Sequence, residues 1–139
     1  MGLLPNERYE AFKWEVLADA AMEDWQGLWE PVAWARTVLR DLLEVDRIDA
    51  AERAMRDLFA AGLIFFVDQG SFPGQPWQDR ILSSAAVDAA ISSPAWRSMP
   101  LTEEISVWFA GTETGEAAVL GHWAEVKSSQ PKSGGPHSR

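Results

Sequence analysis

The groups that could do acid–base or covalent chemistry are few. His122 and His137 are the only imidazoles, and cysteine is absent. Without thiols there is no disulfide, zinc ribbon, iron–sulfur cluster or cysteine nucleophile to consider. The carboxylate pairs Glu23–Asp24 and Glu103–Glu104 are adjacent in sequence, so on a helix or strand their side chains diverge. Gly70-Ser71-Phe72-Pro73-Gly74 has the wrong spacing for a nucleophile elbow, and neither a P-loop nor a dinucleotide glycine motif occurs. His122 falls near the end of a predicted helix, where a cation is favoured by the helix dipole, and His137 lies in the C-terminal tail. These residues predict no enzyme, no cofactor and no metal.

Binding chemistry is better supplied. Five of the twelve basic residues, Arg36, Arg40, Arg47, Arg53 and Arg56, crowd into one stretch. Guanidiniums there could meet phosphates or base edges. The chain also carries eight tryptophans. Trp14, Trp25, Trp29 and Trp34 fall on or beside apolar stripes, which predicts core. Phe72 and Trp77 sit instead in a Gly/Pro-rich stretch, and Trp96 shares that setting. Indoles with one wet edge suit interfaces, so Phe72, Trp77 and Trp96 are the candidate partner-binding residues. The competing reading is that the loop folds back and packs them over a sheet.

The elements that must position these groups follow from periodicity. A first helix is predicted from Asn6, as its cap, to about Gln26. It has two apolar stripes: Trp14, Leu17, Ala21 and Trp25 on one side, and Tyr9, Phe12, Val16 and Ala20 on the other. Two stripes imply two neighbours, which could be another helix of this chain or a second subunit. Gly27 breaks this helix. A second begins at Glu30-Pro31 and buries Trp34, Ala35, Val38, Leu39 and Leu42, with Asp41 and Glu44 facing out. Val45-Asp46-Arg47 reads as a turn. A third helix runs from about Asp49 to Ala61 and ends at Gly62, a residue tolerant of positive φ. Leu63–Val67 reads as a strand. Residues 68–79 read as loop. Ser83 or Ser84 caps a short helix that Pro94 terminates. Ile105–Phe109 alternates as a second strand, and Thr112 caps a last helix. The Ser/Gly/Pro/Lys-rich residues 127–139 read as a disordered tail.

Ala54-Met55-Arg56-Asp57-Leu58-Phe59-Ala60-Ala61-Gly62-Leu63-Ile64 resembles the passage from recognition helix to first wing strand in winged helix-turn-helix proteins. Val107-Trp108-Phe109-Ala110-Gly111-Thr112-Glu113-Thr114-Gly115-Glu116-Ala117 resembles their second wing strand entering a "T..G.a" helix, as in MarR- and PadR-type regulators. The resemblance covers about residues 30–120. It implies a mainly helical α+β domain with a two-stranded antiparallel wing, its third helix lying in the DNA major groove. This chain departs from the pattern in the wing, where 37 residues separate the predicted strands. A hairpin needs about 2–5, so a helical insertion at about 68–104 is predicted. The Ala/Arg/Asp/Trp-rich style also resembles small proteins of high-GC bacteria, which carries no functional content.

Charge argues about the third helix. Its outward face would carry Asp49, Glu52, Arg53, Arg56, Asp57 and Ala60. Arg53 lies one turn from Asp49 and Asp57, and Arg56 one turn from Glu52. Arg40 has Glu44 four residues on, and Arg47 has Asp46 and Asp49 nearby. A solvated face laced with ion pairs, a DNA-reading face and a protein-docking face all remain open, and the pairing favours the first.

The whole chain agrees. Its 139 residues suit one domain (1–126), and its net charge is -9. Residues 1–30 carry -5, 31–61 carry -1, 62–126 carry -6 and the tail +3. Such a balance disfavours DNA and anionic lipid. No apolar run predicts a membrane span, and no charged signal-peptide head is seen. The expectation is a cytoplasmic, non-enzymatic regulatory or adaptor module. It would act through a protein partner or through self-association of the first helix. The alternative is a homodimeric DNA-binding regulator using Arg47, Arg53 and Arg56, with Arg36 and Arg40 at phosphates. A third reading is a small-molecule sensor with Trp77 and Trp96 in its pocket.

Overall fold

The computed structural model describes residues 4–23, 25–68, 76–97 and 106–129, with side chains as far as 125. Asp24, Phe72, Glu103, Glu104 and His137 lie outside the described residues, as does the tail from 130. The fold is α+β: helices dominate, around a small antiparallel sheet. None of the described helices is long and apolar enough to cross a membrane.

Helix α1 (Asn6–Ala18) starts one residue earlier than a capping Asn6 would require. Pro5 occupies the cap position, its carbonyl accepting from the Tyr9 N–H at 3.0 Å, and no side chain caps the end. Asn6 is thus the first helical residue. A wider π turn, Asp19–Glu23, continues the helix. Tyr9, Phe12, Val16, Leu17 and Ala20 are buried, and α1 packs against α2 (Glu30–Val38), α3 (Glu44–Ala60) and α5 (Glu113–Ser129). The stripe of Tyr9, Phe12, Val16 and Ala20 is buried within the chain, whereas on the other stripe only Leu17 is buried and Trp14, Ala21 and Trp25 are half-buried.

Gln26–Gly27 is not merely a helix break. It forms β1, pairing with β3 (Val107–Gly111) through Gln26↔Phe109 and Gly27↔Trp108. A Cβ at Gly27 would stand 2.1 Å from the Trp29 ring, so glycine is required by close approach. Pro31 sits in the first turn of α2, as expected. The turn after α2 comes earlier than predicted, at residues 39–43, and Val45, Asp46 and Arg47 belong to the first turn of α3. Glu44 and Asp46 suit that positive end. Arg47 secures the turn by donating to the Leu39 carbonyl at 3.0 Å and to that of Arg40.

Helix α3 ends as its sequence demands. Gly62 has φ +75°, Gly62 N–H donates to Phe59 and Leu63 N–H donates to Leu58, a Schellman closure. Strand β2 (Ile64–Asp68) then pairs with β3, with Phe66 opposite Phe109. The sheet order is β1-β3-β2, so the sheet has three strands where two were expected. The outer edge of β2 is covered by the insertion: Val67 bridges Ile81, and Leu82 N–H donates to Phe66. Ser83 caps α4 (Ser84–Ser92), and Ser93 caps the 3-10 turn Pro94–Trp96. Thr112 joins β3 to α5. Its Oγ1 accepts from Gly115 N–H at 2.9 Å and donates to the Gly62 carbonyl at 2.7 Å. A Cβ at Gly115 would lie 2.1 Å from the Leu63 carbonyl oxygen. The threonine and glycine of the "T..G" motif are thus a cap and a close crossing. Helix α5 runs to Ser129, so residues 127–129 are helical instead of tail.

Candidate functional site

Four of the five arginines of the α2–α3 region, all but Arg40, spend donors on partners within the chain. Arg53 lies 3.6 Å above the Tyr9 ring centroid and 3.7 Å from Asp57, while the Tyr9 hydroxyl donates to Asp57 at 2.5 Å. Burial, and then the Asp57 carboxylate, push the Tyr9 pKa up, so the phenol stays a donor. Arg56 pairs with Glu52 at 3.0 Å, as spacing predicted, and reaches α4 at Asp88 (2.6 Å) and Ser92 (3.0 Å). Glu52 also accepts from Arg97 at 2.7 Å. The face assigned to DNA is thus bordered by α1 on one side and by the inserted α4 on the other.

The remaining pairings differ from those the spacing suggested. Glu44 is bound by Arg36, with Arg47 at 3.3 Å, and not by Arg40. The Arg36 guanidinium holds the Glu44 carboxyl below its ordinary pKa despite some burial. Arg40 is exposed and makes no ion pair among the described residues. Asp41 faces out, as expected, but is clasped by both amino groups of Arg8 at 2.8 Å. That contact lowers its pKa to about 2.

The tryptophans follow the prediction only in part, with Trp14 and Trp34 packed against the core. Trp14, Trp25, Trp29 and Trp34 are only half-buried. Trp96, a candidate partner residue, is 1% exposed, and its Nε1 donates to the Ile91 carbonyl at 3.0 Å. It is core, because the insertion folds a short helix and a 3-10 turn around it. Arg97 covers its face at 4.5 Å. His122 also departs from expectation. Because α5 continues to Ser129, His122 lies mid-helix, stacked flat on Trp14 at 4.2 Å.

Trp77 stays at the surface. It opens the 3-10 turn Trp77–Arg80 after Pro76 and is 37% exposed. Its ring leans on Phe65 at 5.2 Å and meets Trp25 edge-on at 5.6 Å, and Trp25 and Phe65 are 5.5 Å apart. Phe65 is available because β2 alternates, sending Ile64 and Phe66 to the core and Phe65 to the other face. These three rings wall a groove of about 400 Å³. Its floor is made by Ala20 and Ala21 of the π turn and by Ala110 and Gly111 of β3. Small residues are needed there, since a Cβ at Gly111 would be 2.6 Å from the Ala21 Cβ. The rim carries Met22, Glu23, Glu113 and Glu116. Negative charge gathers around the π turn: the Asp19 pKa is raised by burial, then by Glu15, Glu23 and Glu30. A π turn beside a cavity is a recurrent feature of functional sites.

Of the candidate partner residues, Trp77 lines this groove, beside Trp25 and Phe65, which sequence reasoning did not single out. Trp25 lies on a helical stripe in sequence, yet the helix ends before it. A smaller hollow of about 250 Å³ lies between α1 and α2, bounded by Arg8, Phe12, Glu15 and Trp34. Among the described residues no three His, Asp or Glu side chains converge to hold a metal. The lining of the aromatic groove offers rings, methyls and carboxylates. Trp96 is not among the residues lining this groove. Comparison with models of known families, with curated proteins and with solved structures finds no match to this chain.

Proposed function

We propose that this chain is a non-enzymatic, winged-helix-like regulatory or adaptor module that acts through protein–protein contacts, with the Trp25–Phe65–Trp77 groove as its partner site. The element order α1-β1-α2-α3-β2-β3 and the capped Thr112–Gly115 junction support the winged-helix reading. The observation that carries the function is the exposed indole of Trp77, held by two further rings beside an open groove. Aromatic anchors in such settings dominate protein interfaces. The lack of cysteine agrees with a reducing compartment, and the reading places the module in the cytoplasm.

The alternative, a homodimeric DNA-binding regulator, draws on Arg40, which is exposed, and on Arg53, whose side chain is half exposed. Against it stand the internal partners of Arg47, Arg53 and Arg56 and the net charge of -9. The test is a pair of measurements on purified protein. Labelled duplex DNA at about 150 mM salt should show no saturable anisotropy change. A partner co-purifying from the source cells should be lost on Trp77→Ala and kept on Arg53→Ala. Sequence-selective DNA binding, with a partner indifferent to Trp77, would overturn the proposal.

A further inference from the structure

We infer that the aromatic groove receives a lysine or arginine side chain from a basic segment of the partner protein. This rests on the reading of the groove as the partner site and adds the chemistry of its occupant.

The fold repeats one arrangement three times: an aromatic face, a cation above it and a carboxylate beside the cation. Arg53 lies over Tyr9 with Asp57 adjacent, Lys13 over the same ring with Glu10 at 3.1 Å, and Arg97 over Trp96 with Glu52 at 2.7 Å. The groove assembles two of the three parts. Trp25, Phe65 and Trp77 supply a continuous aromatic wall, and Glu23, Glu113 and Glu116 supply the carboxylates. None of the described lining residues is basic, and none of these three glutamates makes an ion pair among the described residues. Arg80, three residues after Trp77, is not part of the lining. The negative faces of indole and phenyl rings attract a cation within about 6 Å, and desolvation in a groove strengthens the pull. Flanking carboxylates oppose an anionic occupant and favour a cationic one. A groove of about 400 Å³ admits one long side chain and its neighbours without requiring a rearranged core.

The test uses the full chain and short Gly/Ser peptides with two central residues varied: Lys-Lys, Arg-Arg, Gln-Gln or Glu-Glu. Tetramethylammonium and free arginine serve as small-cation controls. Tryptophan fluorescence reports occupancy. The basic peptides should bind at least tenfold more tightly than the Gln-Gln peptide and than either small cation, and weaken as salt rises. Trp77→Ala should abolish the signal change. Glu23→Gln with Glu116→Gln should reduce affinity for the basic peptides about fivefold, with near-ultraviolet circular dichroism unchanged. Equal binding of the Gln-Gln or Glu-Glu peptide, or no peptide binding, would overturn the inference. In that case the Trp77-dependent co-purification still decides the partner site itself. Binding of the free cations as strong as that of the peptides would overturn it in favour of a small-molecule site.

Discussion

Arg56 on α3 donates to Asp88 on α4 at 2.6 Å, across thirty-two positions of sequence. The pair ties α3 to α4, the short helix between β2 and β3. It is partly solvated, with side-chain exposures of 36% and 68%, so its direct worth is small, about 0.2–1 kcal/mol. Its consequence is geometric: an arginine held by Glu52, Asp88 and Ser92 has few donors left for a ligand.

A double-mutant cycle on Arg56→Met and Asp88→Ala, read by urea unfolding, should give a coupling of about 0.5 kcal/mol that shrinks in high salt. Arg56→Met alone should cost about 1 kcal/mol, since it also removes the bonds to Glu52, which keeps Arg97, and to Ser92. Zero coupling at low salt would mean that the two helices are not joined there.

Acid should weaken the fold through a defined set of carboxylates. Arg8 holds Asp41 at about 2, and Arg36 holds Glu44 low. Burial works against the charge of Glu52, but hydrogen bonds from Arg97 and Arg56 outweigh it and lower its pKa. Each folded pKa lies below its unfolded value. The stability these groups contribute is therefore present above the ordinary carboxylate range of about 4 and is lost as pH falls through the folded values, near 2 for Asp41. Asp19 has the opposite sign: its raised pKa opposes folding at neutral pH and that opposition is relieved as pH falls. The urea midpoint should thus fall from about pH 4 downward. Glu52→Gln should flatten the fall, and Asp19→Asn should raise the midpoint at pH 7. A Glu52→Gln profile parallel to wild type would contradict the assignment.

Trp96 and Trp77 should separate stability from binding. Trp96→Ala opens a cavity in the core and removes the bond to Ile91, at a cost of about 3–5 kcal/mol. Trp77→Ala removes only ring contacts at a half-open edge, at about 1 kcal/mol. Thermal unfolding distinguishes them; similar melting temperatures for the two variants would contradict the placement of Trp96.

Two glycines of α5 should respond with opposite signs. Gly121 faces open space, so Gly121→Ala should stabilise by up to about 1 kcal/mol through helix propensity. Gly115→Ala drives a methyl into the Leu63 carbonyl and should destabilise by about 1–3 kcal/mol. Denaturant midpoints of the two variants on the same side of wild type would refute the crossing at Gly115.

Much of the scaffold is legible locally. Gly62, Ser83 and Thr112 act through backbone geometry and short-range capping, so their neighbours in sequence suffice to predict them. What escaped prediction depends on distant partners. β1 is two residues long and exists only because β3 pairs with it. Spacing offered Glu44 to Arg40, and tertiary packing selects Arg36 and Arg47 instead. Trp96 lies in a stretch without period, where sequence cannot tell a folded insertion from an open loop. The aromatic groove draws its rings from positions 25, 65 and 77. No local pattern joins them, although the outward register of Phe65 was readable from alternation with Ile64 and Phe66.

The most direct measurement is site-specific photo-crosslinking inside the source cells, with a benzophenone side chain placed at position 77 and, separately, at position 53. A discrete protein adduct from position 77, with no nucleic-acid adduct from position 53, is the predicted result. Nucleic acid captured from position 53 and no protein captured from position 77 would contradict it.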